Sequence, residues 1–383
     1  MNALWYYGIG FAVIWIIALV FKNKLSNHGV EVNFPTLMWK TKRLRGLINR
    51  LANKSPKFWK WFMNVGIVVS FIAMVAMTYY LISSLQTITK TPSVSLVIPG
   101  VEVPGSPIFI PFVYGIIALA TVIIVHEFGH GILARVEKIK LKSIGLLLFA
   151  ILPGAFVEPD EEDMEKAKKV SRMRIYAAGS MANISLFVVA FLIMTAISSF
   201  AIPGAFHEKM EIQNVISGAP ADNVLKSGMI LTSINGYNVS DRYSFSKAVS
   251  TLTPGKMVYI TTDTGNYNFT VGKNPNNTSS GYMGIQVKNY YELDSGVANT
   301  FGNQLPWIWI DLRTMFMWIA YLNLAIGLFN LLPMKPLDGG HLLEEILDYK
   351  LPKNIYQPIV ATVSFFIIFI IIISLIAGFG IKL

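Results

Sequence analysis

Six runs of apolar residues punctuate the chain, at about 4–21, 62–85, 112–134, 175–200, 315–332 and 359–379. Each approaches the roughly 20 residues a helix needs to cross a bilayer core, so the pattern predicts about six transmembrane helices. The first run lacks a basic start and a small-residue cleavage site, and it reads as a retained span rather than a secretory signal. Between the first two runs, Leu44, Leu47, Ile48 and Leu51 recur at helical spacing among Arg and Lys. That is the pattern of a helix lying on anionic headgroups. Residues 203–306 differ from the spans. A β-prone run at 229–234 leads into Asn235-Gly236, and runs at 258–262 and 267–271 flank a turn at 263–266, so two hairpins are expected. The fold class is therefore membrane α-helical, with a small β-rich domain inserted between the fourth and fifth spans.

Composition agrees with a bilayer setting. The 383 residues are 53% hydrophobic and 14% charged, with a mean hydropathy of +0.51, which is too apolar for a soluble chain of this length. Cysteine is absent, so disulfides and thiolate metal sites are excluded. Any transition metal must then be held by Asp, Glu or one of only 5 His. The net charge of +10 raises the question of nucleic acid until the basic residues are located. Ten of them, from Lys22 to Lys60, face a single acid, Glu31, in one short segment. This excess sets membrane orientation, and no nucleic-acid partner is expected.

With that segment placed in the cytoplasm, the later boundaries alternate without conflict. Arg135, Lys138, Lys140 and Lys142 fall inside, as do Lys166, Lys168, Lys169, Arg172, Arg174, Lys350 and Lys353. Both termini and residues 203–306 fall outside. Sequons at Asn238, Asn268, Asn276 and Asn277 would matter only in a host that glycosylates.

The chemistry lies in the third run, as His126-Glu-Phe-Gly-His130. Residues four apart share a helix face, so both imidazoles can reach one metal, while Glu127 is rotated by about 100° and serves a metal-bound water. His126 precedes Arg135 by nine residues, which puts it roughly 13 Å in from the cytoplasmic end. Ionisable groups at that depth are costly unless paired or metal-bound. A catalytic zinc site normally has three protein ligands, so a carboxylate must come from elsewhere. Asp338 is favoured because Pro333, Pro336, Gly339 and Gly340 break the helix around it, and irregular backbone at membrane depth lines cavities. Glu344, Glu345 and Asp348 are rivals that read as an ordinary polar helix. A hydrogen-bonded polar cluster, an ion transporter and an inactive scaffold are the competing readings.

Together, HEFGH and the later NLLPMKPLDGG resemble the site-2 protease family of intramembrane metalloproteases, over roughly residues 112–345. The resemblance implies zinc on His126, His130 and Asp338, Glu127 as general base and acid on zinc-bound water, and hydrolysis of peptide bonds within transmembrane segments of other membrane proteins. Ala178-Gly-Ser-Met-Ala-Asn183 resembles the family's AGPxxN signature, with Ser180 where proline is usual. Its small residues also suit close helix packing, with Asn183 as a polar contact. Asn330 matches the asparagine that opens the Asp-containing motif. It is a candidate for holding substrate backbone or the oxyanion, or else a packing amide. Residues 145–157, with Gly154 and Phe156, resemble a re-entrant β-hairpin that pairs with extended substrate; an apolar loop is the alternative. The outer region, with Gly218-Ala-Pro-Ala221 and Gly228 to Gly236, resembles the PDZ domains inserted in many bacterial and archaeal members. It is expected either to take a peptide ligand or to exclude bulky ectodomains. The implied location is a prokaryotic cell membrane, with the active site nearer the cytoplasmic face.

The expected organisation is then a first span and basic loop (1–61), a second span and outer loop (62–111), a first part of the catalytic core (112–202), a PDZ-like domain (203–306), a second part of the core with the Asp motif (307–348), and a last span (349–383).

Overall fold

The computed structural model describes residues 3–87, 94–150, 152–275 and 277–379; Asn276, of one expected sequon, and Ile151, within the expected hairpin, lie outside the described residues. Among the described residues, five helices are long and apolar enough to cross a membrane: Pro56–Thr87, Phe112–Val136, Lys169–Ala205, Leu305–Phe329 and Lys353–Gly378. The first apolar run forms the helix Ala3–Val20, whose described apolar part, Trp5–Val20, is shorter. Several helices outrun their apolar cores because polar residues at the ends continue the same turn. Pro56 sits at the start of one, where its missing N–H costs nothing, and brings Lys57 and Lys60 into the helix. Outward-facing Ile72, Val113 and Phe365 are 62%, 62% and 73% exposed, an apolar exterior that suits lipid and not water.

The chain forms two compact units, Met1–Met194 with Thr314–Leu383, and Thr195–Arg313. The first holds a four-stranded antiparallel sheet in the order β1 (Val30–Asn33), β2 (Thr36–Lys40), β3 (Leu141–Phe149) and β4 (Leu152–Pro159). The family resemblance implied the β3–β4 hairpin, with an apolar loop as the alternative, whereas β1 and β2 emerge from what reads as a basic loop. What decides them is remote. β2 pairs with β3 from Thr36↔Phe149 to Lys40↔Gly145, and the Trp15 indole N–H donates to the Ala150 carbonyl at 2.7 Å.

The amphipathic segment of the basic loop is the helix Lys42–Lys54. Its apolar stripe meets protein: Ile48 and Ala52 are buried, and Leu44 and Leu51 join the same cluster with Ile132 and Leu133, leaving Leu47 exposed. Gly131 makes the room, since a Cβ there would come within 2.9 Å of Ile48 Cδ1.

The second unit is built on a sheet ordered β12 (Ile285–Leu293), β5 (Phe206–Val215), β6 (Ile230–Ile234), β8 (Met257–Thr262), β9 (Gly265–Thr270), with β7 (Tyr237–Asn238) on β6. A small hairpin, β10 (Gly272–Asn274) and β11 (Asn277–Tyr282), stands beside it. Met210 and Ile212, and Val258 and Ile260, alternate inward to form the core, joined by Leu231 and Ile234, three apart across an irregularity in β6. Asn235 and Gly236 have φ of 48° and 78°, the two left-handed residues a tight hairpin turn requires. Asp241 caps the helix Arg242–Ser250 in a capping box with Ser244.

Candidate metal centre

The helix Phe112–Val136, the histidine helix, presents His126 and His130 on one face with their Nε2 atoms 3.1 Å apart. The third donor comes from a chain that stops being helical after Phe329 and resumes at Asp338, the first residue of the helix Asp338–Leu347. Gly339 N–H closes this break by donating to the Asn330 carbonyl at 2.8 Å, and Lys335 N–H donates to Ser364 Oγ at 3.0 Å. Neither Gly339 nor Gly340 has space for a Cβ, which would strike the backbone of Leu331 or of Met334 and Lys335. The result places Asp338 Oδ2 3.4 Å from His126 Nε2 and Oδ1 3.4 Å from His130 Nε2.

The two 3.4 Å spacings match one small cation, and the 3.1 Å between the imidazoles falls slightly short of that geometry. Ligand atoms about 2.0–2.2 Å from a tetrahedral zinc sit roughly 3.3–3.6 Å from each other. The hydrogen bonds behind the donors point the same way. His130 Nδ1 lies 2.7 Å from the Ile175 carbonyl, which only accepts, so Nδ1 carries the proton and Nε2 turns a lone pair inward. His126 Nδ1 lies 3.2 Å from the Asn183 carboxamide, whose Oδ1 is buried without a partner while its amino group faces the ring. Turning that amide by 180° gives Oδ1 the Nδ1 proton and frees His126 Nε2. Two imidazole lone pairs and a carboxylate then converge on one point, an arrangement that repels itself until a cation enters. A divalent ion with Asp338 and Glu127 is also neutral overall, which suits membrane depth.

The helix Lys169–Ala196 packs directly behind the imidazoles because its small residues allow it. A Cβ at Gly179 would fall 2.7 Å from His126 Cε1 and Nε2 and closer still to His130 Nε2. Opposite it, a Cβ at Gly129 would strike the Ala178 carbonyl. Ser180, buried completely, donates to Asp338 Oδ2 at 3.3 Å, a contact proline could not make. The three rival carboxylates are engaged elsewhere: Glu344 with Lys335, Glu345 with Arg172 and Asp348 with Lys169. Along the sequence they read as an ordinary polar helix, because the basic partners of two of them lie more than 170 positions away.

Glu127 points toward β4, where Val157 N–H donates to its Oε2 at 3.1 Å. That bond fixes which way the strand faces. Ile144, opposite Val157, gives its carbonyl to Thr41 on the β2 side, so Gly154 and Phe156 turn their backbone groups to β3, and Ala155 and Val157 turn theirs to the open edge. Among the described residues no strand pairs on that edge. The Phe156 ring instead covers Gly145, where a Cβ would come within 2.8 Å of Phe156 Cζ. A cavity of about 290 Å³ opens beside Glu127, lined by Trp39, Leu44, Ile124, Phe128, Ile144 and Phe156. The Asn330 carbonyl closes the break described above. That Ala155 turns its backbone to the open edge is visible only in the pairing register, not along the sequence.

Comparison with known proteins places this geometry. Residues 114–371 match the model of a family described as peptidase family M50. An uncharacterized protein of Methanocaldococcus jannaschii is 34% identical over 233 residues, covering 61% of this chain and 56% of that protein. A membrane-bound transcription factor site-2 protease homolog of Arabidopsis thaliana is 30% identical over 130 residues, 33% of this chain and 25% of its own. A protein of Clostridium perfringens provisionally named a zinc metalloprotease is 23% identical over 323 residues, 67% of this chain and 94% of its own. The chain thus spans about half the length of the first of these relatives and a quarter of the second.

Proposed function

We propose, from the premise that this chain belongs to peptidase family M50, that it is an integral membrane zinc endopeptidase cutting peptide bonds inside the transmembrane segments of other membrane proteins. The observation that carries this reading is the convergence of His126, His130 and Asp338 on one point with Glu127 beside them and an unpaired strand edge within its reach. Zinc held by His126, His130 and Asp338 supplies Lewis acidity to the scissile carbonyl and acidifies nearby water.

The chain's own groups do the rest. Glu127 removes a proton from the attacking water and returns it to the leaving nitrogen. Val157 N–H holds one of its carboxylate oxygens, which keeps the other free. An unwound substrate segment lies extended along β4 and exchanges hydrogen bonds with the backbone of Ala155. Segments with Gly, Pro or polar residues unwind most readily and are the preferred substrates. In the membrane, the basic residues from Lys22 to Lys60 face the cytoplasm, and residues 203–306 lie outside as a PDZ-like module that takes peptide or excludes bulky ectodomains.

The test is cleavage of a tagged single-span substrate in vesicles with the full chain. Cleavage is expected to stop with a chelator and to resume on adding zinc. Glu127→Gln should keep its zinc and slow cleavage by about 10²–10⁴-fold, whereas Asp338→Asn should lose zinc. Undiminished turnover in the Gln variant removes the proposed base, and full metal content in the Asn variant removes the proposed ligand.

A further inference from the structure

The helix Lys169–Ala196 gives no ligand to the proposed metal, yet it touches all three donors: Asn183 behind His126, the Ile175 carbonyl behind His130, and Ser180 on Asp338. Below Ser180 the contacts continue with the helix Asp338–Leu347, the aspartate helix, in matched steps. Tyr176 stacks on His341 with ring centroids 5.0 Å apart and planes 16° apart. Arg172 binds Glu345 through two hydrogen bonds, Nε to Oε1 at 2.6 Å and Nη2 to Oε2 at 2.8 Å, and Lys169 meets Asp348 at 2.6 Å. Every step of three or four residues down one helix is answered by three or four up the other. The two helices therefore run antiparallel in a single register, with the metal ligand on the top rung.

The register matters because Asp338 lies at the end of its helix, so its position along the axis depends on the rungs below it together with the bonds and close packing of Gly339 and Gly340 at the break and the buried Leu342. The break before it is stitched by short backbone bonds and by Ser364. His126 and His130, by contrast, have their separation set within one helix. A slip of the aspartate helix by a fraction of a turn would carry Asp338 away from both imidazoles.

We propose that Arg172 and Glu345 are positioning residues for the metal site. Their bidentate pair, two helical turns from Asp338, locks the axial register of the aspartate helix, and zinc affinity depends on it. The pair suits this task. Both side chains are mostly buried, at 17% and 11% exposed, and two parallel bonds to a planar guanidinium fix distance and angle together. Removing one partner leaves the other's charge buried and uncompensated, so each single loss distorts the register more than an exchange of the two.

This inference rests on Asp338 being a ligand, and the test separates the two claims. Arg172→Ala, Glu345→Gln, the exchange Arg172→Glu with Glu345→Arg, and Asp338→Asn are prepared as full chains in detergent. Zinc affinity is measured by chelator competition, the visible absorption of the cobalt-loaded protein reports donor geometry, and circular dichroism checks helix content. Each single variant is expected to bind zinc 10–100-fold more weakly, the range for lost partners behind a ligand, with a weakened cobalt band and unchanged helix content. The exchange should recover at least a third of the lost affinity on a logarithmic scale. If the Asn variant loses zinc while the single variants stay within twofold of the parent, the positioning role is wrong and the ligand stands. If the Asn variant keeps its zinc, the ligand assignment falls first. Should Arg172→Ala fail to fold, Glu345→Gln alone decides, because it preserves shape and removes only the charge.

Discussion

His126 and His130 are set by a single turn of one helix, whereas Asp338 reaches the same point from 208 positions beyond His130, after a break in the chain. The first half of the site is local: helix geometry fixes the spacing of the imidazoles wherever the helix goes. The second half is assembled, and its accuracy is borrowed from a neighbouring helix. Damage to packing behind the histidines should therefore act on both imidazoles at once, while damage to the rungs beneath Asp338 should act on one ligand and leave the pair intact.

The sharpest way to break the local half is Gly179→Val. Its branched side chain would occupy space already held by His126 and His130. Zinc affinity should fall by more than about 100-fold, with a stability cost on the order of 1–3 kcal/mol from overpacking. Metal titration with a thermal melt checks both, and zinc binding at parental strength would mean that the helices separate without consequence. A smaller effect is expected at Asn183→Ala, which removes the partner of His126 Nδ1 but adds no bulk. Affinity should drop by about 10–100-fold. Competition against a zinc chelator reads it, and an unchanged value would place the orienting partner of His126 elsewhere.

The least disruptive probe lies away from the three donors, at Glu137, just past the C-terminal end of the histidine helix. Burial alone would raise its pKa, but hydrogen bonds from Ser171 and Arg174 and the charges of Lys60 and Arg174 outweigh this and hold the carboxyl below its usual range. A depressed folded pKa contributes stability that is complete above the unfolded value and is lost as pH falls through the folded one. Thermal stability should therefore decline on acidification below about pH 4.3. In Glu137→Gln that acid limb should flatten while neutral zinc affinity changes little. A full acid limb in the variant would assign the loss to other carboxylates.

Much of this was legible along the chain. The apolar runs located the long helices because a bilayer leaves few ways to satisfy backbone hydrogen bonds. The stripe of small residues from Ala177 to Ala182 announced a close helix crossing, and Gly129 and Gly179 supply it. Less legible were pairings between distant segments. The amphipathic stripe around Ile48 pointed to headgroups, but it packs on the histidine helix, since an apolar face is satisfied equally by lipid or by protein. Glu345 looked like a solvated charge because Arg172 is remote in sequence.

The sequence by itself determined the donor chemistry: no thiolates, two histidines four apart on a helix, a glutamate beside them, and a break around Asp338. These are fixed by residue type and by the period of a helix, which need no partner. Only the tertiary structure showed that Asp338, and not a rival carboxylate, lies beside the two imidazoles and which backbone atoms of β4 face outward, and brought two strands out of the basic loop to extend its sheet. Those outcomes depend on register between elements far apart in the chain, and register is set by contacts that exist only once the elements have met.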